Sequence, residues 1–141
     1  MQLQLYSQLL RLDLANDHLL QMYYSLYYDL KPEDTEMTEK LDRLIEIREK
    51  IKLELRRHLF NLKNSILDSK FHSTILGLLP VFLKLEYLAR HTFNEADWES
   101  CYREERKNLK LYYETLYQQD IPSSTVDVLL KQKKKLESIP K

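Results

Sequence analysis

Five ionisable residues in this chain interrupt otherwise apolar helix faces, and they are where its chemistry would lie. Asp13 and Asp17 fall between Leu9, Leu10, Leu20 and Tyr24. Arg48 falls between Leu44 and Leu55. Glu86 sits beside Leu79 and Phe82, and Glu105 lies between Cys101, Tyr102 and Leu109. Charges aimed at a core are costly unless they pair or bind a metal. Two chemistries follow. The first is a carboxylate metal site, for which Glu54, His58, Glu86 and Glu105 are the candidate ligands. Di-iron bundles need two Glu-x-x-His motifs besides their other carboxylates, and this sequence has none. Glu54 and His58 are four apart, but Glu54 lies away from the apolar stripe. Arg48 also puts a positive charge where a metal would need a ligand. The second chemistry is a buried ion network of Arg48 with Asp13, Asp17 or Glu105, fixing helix register. The network is the expectation here, with no metal and no cofactor.

Other reactive types carry less. The four His show no zinc spacing. Cys101 lies on an apolar stripe, where a thiol behaves as a small hydrophobe. The ten Tyr form two clusters. Tyr23, Tyr24, Tyr27 and Tyr28 lie at one helix end, and Tyr112, Tyr113 and Tyr117 at another. Tyr is enriched in interfaces, so Tyr23, Tyr24, Tyr27, Tyr28, Tyr113 and Tyr117 are candidate partner contacts. Lys131, Lys133, Lys134 and Lys135 read as a solvated basic helix end.

These residues need helices to place them. The 141 residues make one domain, 1–141. Lys+Arg and Asp+Glu are both 22, so no net field draws nucleic acid or an anionic membrane. One Gly rules out Gly-rich phosphate cradles. One Cys rules out an internal disulfide. The apolar run Ile75 to Leu83 is far shorter than the roughly 18 residues of a membrane span. Residues 1–20 lack a basic start followed by an apolar stretch, so no signal peptide is expected.

Five helices are expected. The first runs from about Leu3 to Leu30 and ends at Lys31-Pro32. The second runs from Asp34 to about Asp68, with acids in its first turn and Arg56, Arg57 and His58 late, as the helix dipole favours. The third, Ser73 to His91, should kink at Gly77 and Pro80, or break there and restart. The fourth runs from Glu95 to Gln119 with Asn94 as N-cap. The fifth begins after Ser123 or Ser124 and runs to about Ser138, with a Ser124–Asp127 capping box. The second helix shows one stripe, Met37, Leu41, Leu44, Ile51, Leu55, Leu59 and Leu62. The fourth shows another, Trp98, Cys101, Tyr102, Leu109, Tyr112 and Leu116. The first and third are apolar over most of their surface, which predicts a central place or a second buried face at an oligomer contact. Short links favour an all-α, up-and-down four-helix bundle with a fifth C-terminal helix.

With the helices placed, the chain resembles a family of small bacterial ferritin-like bundles known only as a domain of unknown function. Cys101-Tyr102-Arg103-Glu104-Glu105, Tyr112, Leu116, Asp120-Ile121-Pro122, Leu129, Leu130 and Gln132 follow that family's run. It has a Cys-x-x-x-Glu helix with a core Tyr and Leu, an acidic-Leu-Pro turn, and a closing helix with Leu and Gln. Asn16-Asp17 with Leu20 and Gln21 is similar to its opening helix, and Phe82 stands where it has Trp. The likeness spans most of residues 10–138. It departs at Glu104, where the family has a small residue, and in the Gly-free link from Asn64 to Ser73. The resemblance implies a ferritin-like arrangement and supplies no activity.

The expected protein is therefore a cytoplasmic helical bundle with a structural or protein-binding role, non-catalytic and homodimeric. The rivals are a ferritin-like metal-binding or redox protein using the inward carboxylates, and a chaperone or immunity-type interaction module using the Tyr faces. Membrane and nucleic-acid partners are not expected.

Overall fold

Among the described residues, five α-helices account for nearly all of the backbone. The structure is a computed structural model that describes residues 2–30, 33–67, 73–90, 97–118 and 120–139. The helices are α1 (Gln2–Tyr28), α2 (Thr35–Leu67), α3 (Ser73–Arg90), α4 (Trp98–Leu116) and α5 (Ser123–Glu137). Among the described residues there is no strand. The expected break at Lys31-Pro32 and the expected ends at Asp68, His91 and Gln119 lie outside the described residues.

Short acidic side chains cap two helix starts. Asp34 accepts Met37 N–H through Oδ1 at 3.2 Å, satisfying a first-turn donor of α2. The N-cap of α4 is Asp97, not Asn94, which lies outside the described residues. Asp97 has extended backbone and its carboxylate accepts Ser100 N–H at 2.6 Å. That bond holds the Asp97 carboxyl below its usual range. The Ser124–Asp127 box does not form. Pro122 is the N-cap of α5, with no side-chain cap bond, and its carbonyl takes the N–H groups of Thr125 and Val126. The helix starts a residue early, so Ser124 already sits within the first turn. Asp120 makes the turn before it with φ 67°, a left-handed geometry that Asp adopts more readily than most side chains.

The third helix does not break into two. α3 passes through Gly77 and Pro80 with Pro80 inside it. A proline there withholds one N–H from the preceding turn, and the helix continues past that loss.

α1 is the central element. It packs against α2, α4 and α3, while α5 packs against both α2 and α4. α3 meets chiefly α1, so it is the peripheral helix rather than the C-terminal one. The pairs Gln2–Ser65, Asp13–Arg56 and Asn16–Arg48 show α1 and α2 running antiparallel. The core comes in two clusters. One holds Leu5, Leu9, Leu12, Ile51, Leu55, Tyr112 and Leu129. The other holds Leu19, Met22, Tyr23, Leu41, Leu44 and Cys101. The α2 and α4 stripes read from the sequence supply much of both. Among the described residues no helix is long and apolar enough to cross a membrane.

Candidate functional site

A polar layer lies between the two apolar clusters. Along α1, Asn16 falls between Leu12 of one cluster and Leu19 of the other. Along α2, Arg48 falls between Leu44 and Ile51. Along α4, Glu105 and Asn108 fall between Cys101 and Tyr112. Glu105 and Asn108 are three residues apart and so share a helix face.

Arg48 is 0% exposed. Its Nε donates to Glu105 Oε1 at 3.3 Å, and Nη2 donates to Glu105 Oε2. Nη1 donates to Asn16 Oδ1 at 3.1 Å and to Asn108 Oδ1 at 2.7 Å. Asn16 returns a bond, its Nδ2 donating to the Arg48 carbonyl at 2.9 Å. Tyr23 completes the layer, its hydroxyl donating to Glu105 Oε1 at 2.5 Å. Burial, reinforced by the Glu105 charge, pushes the Tyr23 hydroxyl well above its ordinary range, so it stays a donor. A two-point guanidinium–carboxylate fork is the strong form of an ion pair. It spends Arg48 on internal acceptors, so the layer orients helices rather than a substrate.

Only part of the expected network gathers there. Arg48 and Glu105 meet. Asp13 and Asp17 are not among the partners of Arg48 and form a second, partly buried group. Arg56 lies 3.5 Å from Asp13 and 3.1 Å from Asp17, and Lys52 lies 3.6 Å from Asp17. The physical reason is helical phase. Asn16 holds the core-facing position of α1, which turns Asp13 and Asp17 toward its edge. Burial raises the Asp13 pKa, and Arg56 offsets this only in part.

The candidate metal ligands are dispersed. Glu105 faces Arg48. Glu86 faces Arg11 at 3.9 Å, and His58 Nδ1 lies 3.5 Å from Thr125 Oγ1. Glu54 is half-buried on α2. Among the described residues no three His, Cys, Asp or Glu side chains come together as a metal site. His18 instead meets Tyr87, edge to face and by hydrogen bond, and lies 3.9 Å from Glu104. The thiol of Cys101 is buried, and that burial pushes its pKa up to about 12. Such a thiol has little thiolate to offer as a nucleophile.

The tyrosines divide. Tyr23 is in the core and cannot serve as a surface contact. Tyr24 bonds Glu49 at 2.8 Å. Lys133 sits 4.2 Å from the Tyr113 ring centroid and 2.7 Å from Glu137, so the basic end is partly paired within the chain. Tyr27, Tyr28 and Tyr117 are exposed, Tyr117 by 92%. Asn108, like Asn16 a partner of Arg48 not placed in the network from sequence, carries a signal only in hindsight of phase. It is a polar residue one turn after Glu105 on the core face of α4.

No family model, curated protein or solved structure matches this chain.

Proposed function

We propose that the protein is a non-catalytic, cytoplasmic helical bundle, ferritin-like in arrangement, that works by protein binding and first of all pairs with a second copy of itself through α3. In this reading α1, α2, α4 and α5 form the four-helix core and α3 is the docking element. The outer face of α3 carries the reading. Leu78, Val81, Phe82, Leu85 and Leu88 are all exposed, Phe82 by 61%. The opposite side is engaged: Leu83 is buried, and Leu79 packs against the core.

The spacing 78, 81, 85, 88 is the three-then-four step by which one helix interlocks with another. An isologous pair uses the same surface twice, so a single stripe of this kind is enough. Five half-exposed side chains offer on the order of 500 Å² per copy, and Lys84 and Ala89 beside them extend this toward the roughly 800 Å² per partner of a stable interface. The chain's zero formal net charge adds no repulsion between copies.

Sedimentation equilibrium at micromolar concentration tests it. A dimer is expected, and Leu85→Glu should return monomer while keeping the helical circular dichroism. A wild-type monomer, or a dimer indifferent to Leu85→Glu, would refute the assignment. No specific observation favours the metal-binding or redox reading.

A further inference from the structure

A cleft of about 190 Å³ lies between α1, α3 and α4. Leu14, Ala15, Leu83 and Leu111 give it apolar walls, and Arg11 and Asn108 border it. Asn108 is 2% exposed and its Oδ1 accepts from Arg48. A guanidinium has only N–H donors, so the Asn108 atom it meets must be the oxygen, which fixes which end of the amide is nitrogen. That nitrogen, Nδ2, is buried without a partner. Nε of Arg11 is in the same state. Two different helices thus each bring a buried N–H donor lacking an acceptor to one cleft, the rest of the Arg11 side chain lying partly exposed beside Glu86. Buried polar groups are nearly always satisfied in a working protein.

We infer that this cleft binds a small carboxylate with an apolar body, whose oxygens accept from Asn108 Nδ2 and Arg11 Nε. Glu86, Glu104 and Glu114 line the cleft against Arg11, Lys107 and Lys110, so the lining has no net positive charge to hold a dianion such as phosphate. The volume is below the roughly 300–1,000 Å³ of drug-sized pockets, which limits the ligand to about ten non-hydrogen atoms. The site uses the inner side of α3 and does not depend on what its outer face binds.

The test is a titration of the full ¹⁵N-labelled chain with phenylacetate and 4-methylpentanoate, following the Asn108 side-chain NH₂ and the Arg11 Nε–H by NMR. Saturable shifts of both signals are expected with at least one of the two acids. Phenethylamine, which puts a cation on the same apolar body, should bind at least tenfold more weakly. Asn108→Asp keeps an acceptor for Arg48 but loses the donor, and should weaken binding at least tenfold. Ala15→Leu leaves both donors and fills the cleft, and should abolish the shifts. Absence of saturable shifts with both acids would overturn the inference, as would equal binding of phenethylamine. So would a folded Asn108→Asp variant with unchanged affinity. Should that variant fail to fold, undiminished binding by Ala15→Leu would overturn it instead.

Discussion

Arg48 on α2 and Glu105 on α4 meet through two guanidinium nitrogens and both carboxylate oxygens, with the arginine wholly buried. The pair sits where the two apolar clusters adjoin. A slip of either helix by one turn would part these groups and leave two charges buried, whereas apolar neighbours would merely repack. Removing one member of such a pair typically costs about 3–5 kcal/mol, while replacing both by apolar residues is often neutral or stabilising. Arg48→Ala should therefore lower the unfolding free energy by an amount in that range, read as a lower urea midpoint. Arg48→Met should cost less, because Met refills the volume, and Arg48→Met with Glu105→Leu should recover most of the loss. An unchanged midpoint for Arg48→Ala would show that the layer does not hold the fold together.

How much of this could be read beforehand depended on the kind of signal. Arg48 and Glu105 were legible because a charge stands out on a stripe of Leu and Ile. Asn16 and Asn108 were not, because a neutral amide interrupts a stripe less plainly and its role appears only once facing helices are known. Asp13 and Asp17 misled for a related reason. α1 is apolar over most of its circumference, so periodicity alone could not tell its inner line from its edge. α3 posed the same difficulty. Phe82 and Leu79 both read as core, yet Leu79 packs inward and Phe82 points out. The start of α5 beside Pro122 was legible within a residue or two, whereas α4 ends at Leu116, three residues short of the expected Gln119. The Asp97 cap competed with Asn94 three residues earlier, and local sequence does not choose between two good caps.

Tyr23 provides a separate check on the layer. Its hydroxyl donates to a buried, charged acceptor, a class of bond worth roughly 1.5–3 kcal/mol. Tyr23→Phe keeps the ring and removes only that donor. The unfolding free energy should fall by an amount in that range, with no change in sedimentation. A loss of self-association without a loss of stability would instead return Tyr23 to the surface role its sequence position suggests.

Gly77 offers a gain rather than a loss. It lies inside α3, and a Cβ built there meets nothing within 4 Å. Glycine within a helix costs roughly 0.5–1 kcal/mol relative to alanine, largely through the freedom of the unfolded chain. Gly77→Ala should raise the melting temperature by the few degrees that such an energy implies for a chain of this size. A lower melting temperature would mean that α3 needs the flexibility of Gly77 to accommodate Pro80.

Asp13 makes stability depend on pH in an unusual direction for a carboxylate beside a cation. Its neighbours are Arg56, Lys52 and Asp17, and Asp17 is a like charge. Arg56 is half exposed, so solvent screens its attraction, and desolvation wins. The folded state then holds the Asp13 proton more tightly than the unfolded state, whose value is near the ordinary 3.8. Where the folded state binds more protons, stability falls as pH rises. This contribution is fully present below the unfolded value and is lost as pH climbs through the raised folded one. Asp13→Asn carries no proton to lose. The difference in urea midpoint, variant minus wild type, should therefore rise from pH 3 to pH 7 and then level off. A difference that falls over the same window would show the Arg56 pairing to outweigh burial. Direct titration of the Asp13 carboxyl by NMR would then place its pKa below 3.8.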